Sequence, residues 1–164
     1  MAAERSRAVR LLRQGGIALL LTLAILLPAP WARALVPTAA TGPGLGRIWI
    51  YREYEPYLSL ARPYVRLNGA IVGISNPGGA FYVDVAPGRY LVTVDSDGSD
   101  ANQFVTVGLG AGQQAFVKVI CDINWDSGGG GSFGSGWRRD TFYTWQIQPQ
   151  AAAGEIAHLP QHRG

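Results

Sequence analysis

Gly130-Gly131-Ser132-Phe133-Gly134 matches the pattern G-x-S-x-G, and Asp140 and His158 follow in the chain order of an α/β-hydrolase triad. The chemistry would be acyl transfer through an activated serine. That motif works only where a strained strand-to-helix turn lifts the serine above a parallel sheet. Here it lies in a glycine run with neither a helix nor a βαβ pattern around it, and His158 sits in a tail with little to hold an imidazole in register. No catalytic residue is assigned. Asp95, Asp97 and Asp100 resemble a calcium loop, but an EF-hand counted from Asp95 needs Gly at position 6 and Glu at position 12, where Asp100 and Thr106 stand. A solvated acidic turn is the expectation, since Asp and Gly are ordinary turn formers. His158 and His162 are too few for a metal site, so neither metal nor cofactor is expected. Glu53 and Glu55, two apart on a Tyr-rich loop, give no sign of the facing carboxylates of a glycosidase. The lone Cys121 ends the apolar run AFVKVIC and reads as a small core hydrophobe.

The surface candidate is a cluster of Trp125, Phe133, Trp137, Arg138, Arg139, Tyr143 and Trp145 beside the glycine loop. Aromatic rings offer large contact area at low entropic cost, and arginine adds directed hydrogen bonds. Trp125, Trp137, Arg138, Arg139, Tyr143 and Trp145 are therefore the candidate binding residues for sugar rings or a partner's surface. The same side chains would equally plug the open end of a sandwich, with the arginines lying over them.

The elements that must position these residues are short strands between turns. Arg47 to Arg52 alternates Ile48 and Ile50 against Trp49 and Tyr51, which predicts a strand buried on one face. Tyr64 to Leu67 and Ala70 to Ile74 flank Asn68-Gly69, the residue pair of a type I′ hairpin turn. Ala80 to Val85 and Arg89 to Val94 surround Ala86-Pro87-Gly88, so that Phe81, Val83, Val85, Tyr90, Val92 and Val94 line one interior. Gln103 to Val107, Gln113 to Cys121 and Thr141 to Gln148 complete the set, with Gln114 to Cys121 near the middle of the fold because it is apolar on both faces except at Lys118. These spacings predict an all-β, antiparallel β-sandwich of about seven strands over residues 46–149. A flexible lead-in over 35–45 precedes it and a disordered tail over 150–164 follows.

Residues 1–34 read as a cleaved signal peptide. Arg5, Arg7, Arg10 and Arg13 precede an apolar or small run from Gly15 to Leu27, and Ala32-Arg33-Ala34 supplies the small-x-small pattern of a signal peptidase site. The run falls short of the ~20 residues that span a bilayer, so no stable membrane span is expected after cleavage. Five of the 14 basic residues and one of the 11 acidic ones lie in this segment, leaving nine and ten, a net charge of −1. That balance removes the electrostatic footprint of a nucleic-acid binder.

The span IWIYRE, the stretch YVRLNGAIVGISNPGGAFYVDVAPGRYLVTVD and the strand AFVKVIC resemble the bacterial envelope family called domain of unknown function 2846. The Pro-Gly-x-Tyr turn is also similar to that of PEGA modules and carboxypeptidase regulatory-like domains. The resemblance covers roughly Arg47 to Gln148 and implies an exported, non-enzymatic sandwich of immunoglobulin-like or prealbumin-like form. The lipoprotein cysteine of many such relatives has no counterpart here. The expected function is a structural or protein-interaction role in the periplasm or cell envelope, with an envelope protein as partner. The alternative is a small module binding cell-wall glycan or a similar ligand through the Trp/Tyr/Arg platform.

Overall fold

The computed structural model describes residues 41–127 and 136–164, with backbone alone for 125–127 and 136–138. The signal segment with Ala32 and Ala34, the first residues of the lead-in, and Ser132 and Phe133 lie outside the described residues. Among the described residues nine strands and one helix follow in order: β1 Gly46–Arg52, β2 Tyr64–Leu67, β3 Ala70–Ile74, β4 Gly79–Val85, β5 Gly88–Val94, β6 Val105–Leu109, β7 Gln114–Ser127, β8 Gly136–Ile147, α1 Pro149–Ile156 and β9 Gln161–Arg163. They form a five-stranded sheet in the order β8-β7-β1-β4-β9 and a four-stranded sheet in the order β3-β2-β5-β6. The all-β sandwich is the fold.

Turn chemistry places the hairpin where expected. Asn68 and Gly69 have φ of 49° and 87°, and Leu67 pairs with Ala70 across the turn. The Ala86-Pro87 reversal does something the alternation did not foretell. It carries the chain from one sheet to the other, so β4 and β5 lie in different sheets instead of pairing. Phe81, Val92 and Val94 are buried in that interior with Ile48, Ile50, Val65, Val107, Val117 and Phe142, while Val83, Val85 and Tyr90 pack against its rim. Cys121 lies in the same core, as its apolar surroundings predicted.

Two features correct the expectation of an antiparallel sandwich with a loose tail. First, β1 runs parallel to β7, and β4 runs parallel to β9. A period-two pattern assigns side chains to faces but says nothing about which neighbour a strand takes or in which direction. Second, residues 150–164 are held down. Pro149 sits in the first turn of α1, where its missing N–H costs nothing, and the alanine run that follows favours helix. Ala152, Ala153 and Ile156 are buried on one side of the helix. Ala152 and Ile156 form a second core with Trp49, Tyr51, Ala80 and Phe116. Beyond α1, Ala80 donates its N–H to the Pro160 carbonyl at 3.0 Å, and β9 pairs with β4. This cover explains why all seven residues of β1 are buried, where alternation predicted only one buried face.

Charged groups lie within this second layer. Arg47, 2 % exposed, donates from Nε and Nη2 to the Asp84 carboxylate at 2.7 and 2.9 Å. Its guanidinium stands 3.8 Å from the Tyr82 ring centroid. The bond from Arg47 holds the Asp84 carboxyl below the usual carboxylate range. Lys118 donates to Glu53 and, at 2.8 Å, to Glu155, which also accepts from the Tyr51 hydroxyl at 2.8 Å. Burial favours neutral lysine, but the bonds to the two glutamates outweigh it and raise the Lys118 pKa.

Candidate functional site

The six candidate binding residues fall on the β7–β8 hairpin, whose register sets Trp125 opposite Arg138, Ile120 opposite Tyr143 and Lys118 opposite Trp145. Trp145 is 53 % exposed. Tyr143 is half-buried and donates its hydroxyl to Asp100 at 2.8 Å, a bond that raises the phenol's pKa. Arg139 is half-buried beside Gly98: a Cβ added to that glycine would stand 2.9 Å from Arg139 Nε and 2.3 Å from Thr141 Oγ1. The side chains of Trp125, Trp137 and Arg138 lie outside the described residues. The structure therefore places Tyr143 and Arg139 in contact with the β5–β6 loop and leaves Trp145 facing solvent.

That loop, residues 95–104, has a structural task. Strand β8 is an edge of its sheet, and an uncovered edge invites pairing with other chains. Ser96 Oγ accepts from the Phe142 N–H at 2.9 Å, the Gln103 carbonyl accepts from the Thr144 N–H at 3.1 Å, and Gln103 Nε2 donates to the Phe142 carbonyl at 3.2 Å. The loop thus occupies the β8 edge with its own polar groups. Gly98 is the close-approach point. Gly98→Ala is expected to cost about 1–3 kcal/mol through overpacking, measured by urea denaturation.

The acidic trio is divided among different partners. Asp95 accepts two hydrogen bonds from Arg66, at 2.8 and 3.1 Å, and its pKa is lowered by them. Asp100 takes the Tyr143 hydroxyl, and Asp97 is exposed. Among the described residues no group of three His, Cys, Asp or Glu could hold a metal ion. Asp140 accepts from Ser59, His158 is exposed beyond α1, and His162 on β9 stacks on Phe81 with centroids 5.9 Å apart. His162 is thus fixed in the sheet, where the sequence suggested a free tail. Glu53 pairs with Lys118 while Glu55 is exposed, so the two carboxylates have separate surroundings.

Two surface features escaped the sequence reading. The first is the β1–β2 loop, residues 53–63. Its base is clamped: Arg52 donates to the carbonyls of Ser59 and, at 2.8 Å, Ala61, and Ser59 donates to Asp140. Leu58 packs on the core. Above this clamp Tyr54, Tyr57 and Leu60 are 61, 90 and 63 % exposed. The second is a cleft of about 340 Å³ lined by Ala61, Arg62, Pro63 and Tyr64 on one side and Asp95, Ser96, Asp97 and Phe142 on the other. The available signal was Tyr54, Tyr57, Leu60 and Tyr64 spaced at three and four residues in a Pro-containing loop, a pattern that fits neither strand alternation nor a turn.

Fold and surface together define a β-sandwich with a helix on its outer face, carrying aromatic and hydrogen-bonding groups on clamped loops. No helix among the described residues is long and apolar enough to cross a membrane. Comparison with protein-family models gives no match, and comparison with curated proteins gives none either.

Proposed function

We propose that this chain is an exported, non-enzymatic module of the bacterial cell envelope with a structural or protein-interaction role. The observation that carries the reading is the β1–β2 loop. Large apolar side chains on a surface normally lie down on the protein. Here Tyr57 and its neighbours stand out while hydrogen bonds from Arg52 and Ser59 hold the backbone beneath them. Such pre-ordering lowers the entropic cost of association, and tyrosine is enriched at interface centres. The signal-like segment and the likeness to the envelope family supply the address. The partner is an envelope protein that offers an apolar surface to Tyr54, Tyr57 and Leu60.

The test uses a photo-reactive phenylalanine analogue at position 57 and, as control, at exposed Thr106 on β6. In the producing cell, the position-57 variant is expected to yield one adduct with a defined envelope protein that the position-106 variant lacks. Identical adduct patterns from the two sites, or none, would refute the docking role. N-terminal sequencing of the same material should begin at Leu35; a sequence beginning at Met1 would overturn the processed, exported form.

A further inference from the structure

We infer that the cleft between Arg62-Pro63-Tyr64 and Asp95-Ser96-Asp97 binds a neutral carbohydrate, with Tyr64 as the stacking face, Asp97 as hydroxyl acceptor and Arg62 as hydroxyl donor. This goes beyond the protein-docking role and stands independently of it. Asp95 is taken by Arg66. Ser96 Oγ is taken by the Phe142 N–H at 2.9 Å and by Gln103 Nε2 at 3.3 Å. Both serve to hold the wall of the cleft in place. Asp97 has no hydrogen-bond or ionic partner among the described residues and faces solvent. Arg62 uses Nε on Asn76 Oδ1 at 2.6 Å, which fixes the guanidinium plane and leaves its Nη donors available. Tyr64 is 47 % exposed at the start of β2, and buried Phe142 contributes to the apolar part of the lining.

The ligand must complement one free acceptor, one fork of donors held at Nε and a half-open aromatic ring. A plain anion would meet Asp97, and a plain cation would meet Arg62, so net charge on the ligand is disfavoured in either sense. A pyranose satisfies all three demands. Its adjacent hydroxyls donate to a carboxylate and accept from a guanidinium, and its C–H face lies against an aromatic ring. A volume of about 340 Å³ is at the small end for ligand sites, which suits a short saccharide segment better than a folded epitope. The clamp on Ser59 and Ala61 fixes the residues just before Arg62, so one wall is pre-formed.

The full-length protein as exported is titrated by calorimetry with maltose, cellobiose, lactose and diacetylchitobiose, and separately with glycylglycine as a zwitterionic rival. At least one disaccharide is expected to bind saturably. Asp97→Asn should weaken that binding about 10-fold or more, the scale of a lost hydrogen bond to a charged group. Tyr64→Ala should weaken it about 2–10-fold. Both positions are exposed at least in part, so thermal melts of both variants should match the parent. Tyr57→Ala, which would abolish partner docking, should leave saccharide affinity unchanged. Absence of saturable binding to all four disaccharides, affinity indifferent to both cleft variants, or displacement of the sugar by glycylglycine would overturn the assignment.

Discussion

Asp84→Asn is expected to destabilise the protein by about 3–5 kcal/mol, the cost of removing one member of a buried, hydrogen-bonded charge pair. Arg47 is enclosed by Trp49, Tyr82 and Asp84, and water has almost no access to replace the lost carboxylate. Coulomb attraction alone does not explain the size of the effect. The asparagine still occupies the volume, but it accepts with one oxygen instead of two and carries no charge. The double replacement Arg47→Met with Asp84→Leu should recover most of the loss, because well-packed apolar side chains avoid desolvating two ions. The sign of the pH dependence follows from the lowered Asp84 pKa. The contribution is fully present above the unfolded carboxylate value of about 3.9 and is lost as pH falls through the lower, folded value. Equilibrium urea titrations between neutral pH and pH 2 should therefore show the parent weakening in that acid window. Asp84→Asn should be weaker at neutral pH and flatter within that window, where the two proteins converge. Equal acid slopes for the two would show that the pair does not hold the carboxylate in its charged form.

Ile156→Ala is expected to cost about 2–5 kcal/mol, the range for removing most of a fully buried aliphatic side chain. Ile156 is completely enclosed and packs among Trp49, Tyr51 and Phe116. Cutting the chain after Gln148 should go further, baring that aromatic surface and removing Glu155 from both Lys118 and Tyr51. A hydrophobic dye should bind the truncated protein and not the parent, and denaturant midpoints should fall in both variants. A loss below about 0.5 kcal/mol for Ile156→Ala would return the tail to the frayed state that its sequence suggests, the level of a substitution at an unpacked surface site.

That contrast shows where local pattern stops being informative. Asn68-Gly69 is legible because a two-residue turn needs positive φ at both positions and these residue types supply it. The faces of β4 and β5 are legible because alternation sorts Phe81, Val92 and Val94 inward whatever the strands pair with. The parallel contacts of β1 with β7 and β4 with β9 are not legible, since the same alternation serves either direction. Helix α1 is opaque for a different reason. Alanine has little apolar area of its own, and its burial matters only because Trp49, Tyr51 and Phe116 present a surface for it to lie on. The candidate site behaves likewise. Leu58 and Leu60 are two residues apart in one loop, yet one packs on the core and the other faces water. Asp95 and Asp97 differ only in that Arg66 is within reach of the first. Identical residue types acquire different chemistry from neighbours that lie far away along the chain.

The Tyr51–Glu155 bond joins residues 104 positions apart, and that span sets an order of events during biogenesis. A polypeptide threaded amino end first through a ribosome tunnel or a translocation channel releases Trp49 and Tyr51 long before α1 can reach them. At roughly 5–20 residues per second of synthesis, the interval lasts about 5–20 s. For those seconds a sticky aromatic strip has no lid, and holdase chaperones have their natural moment to act.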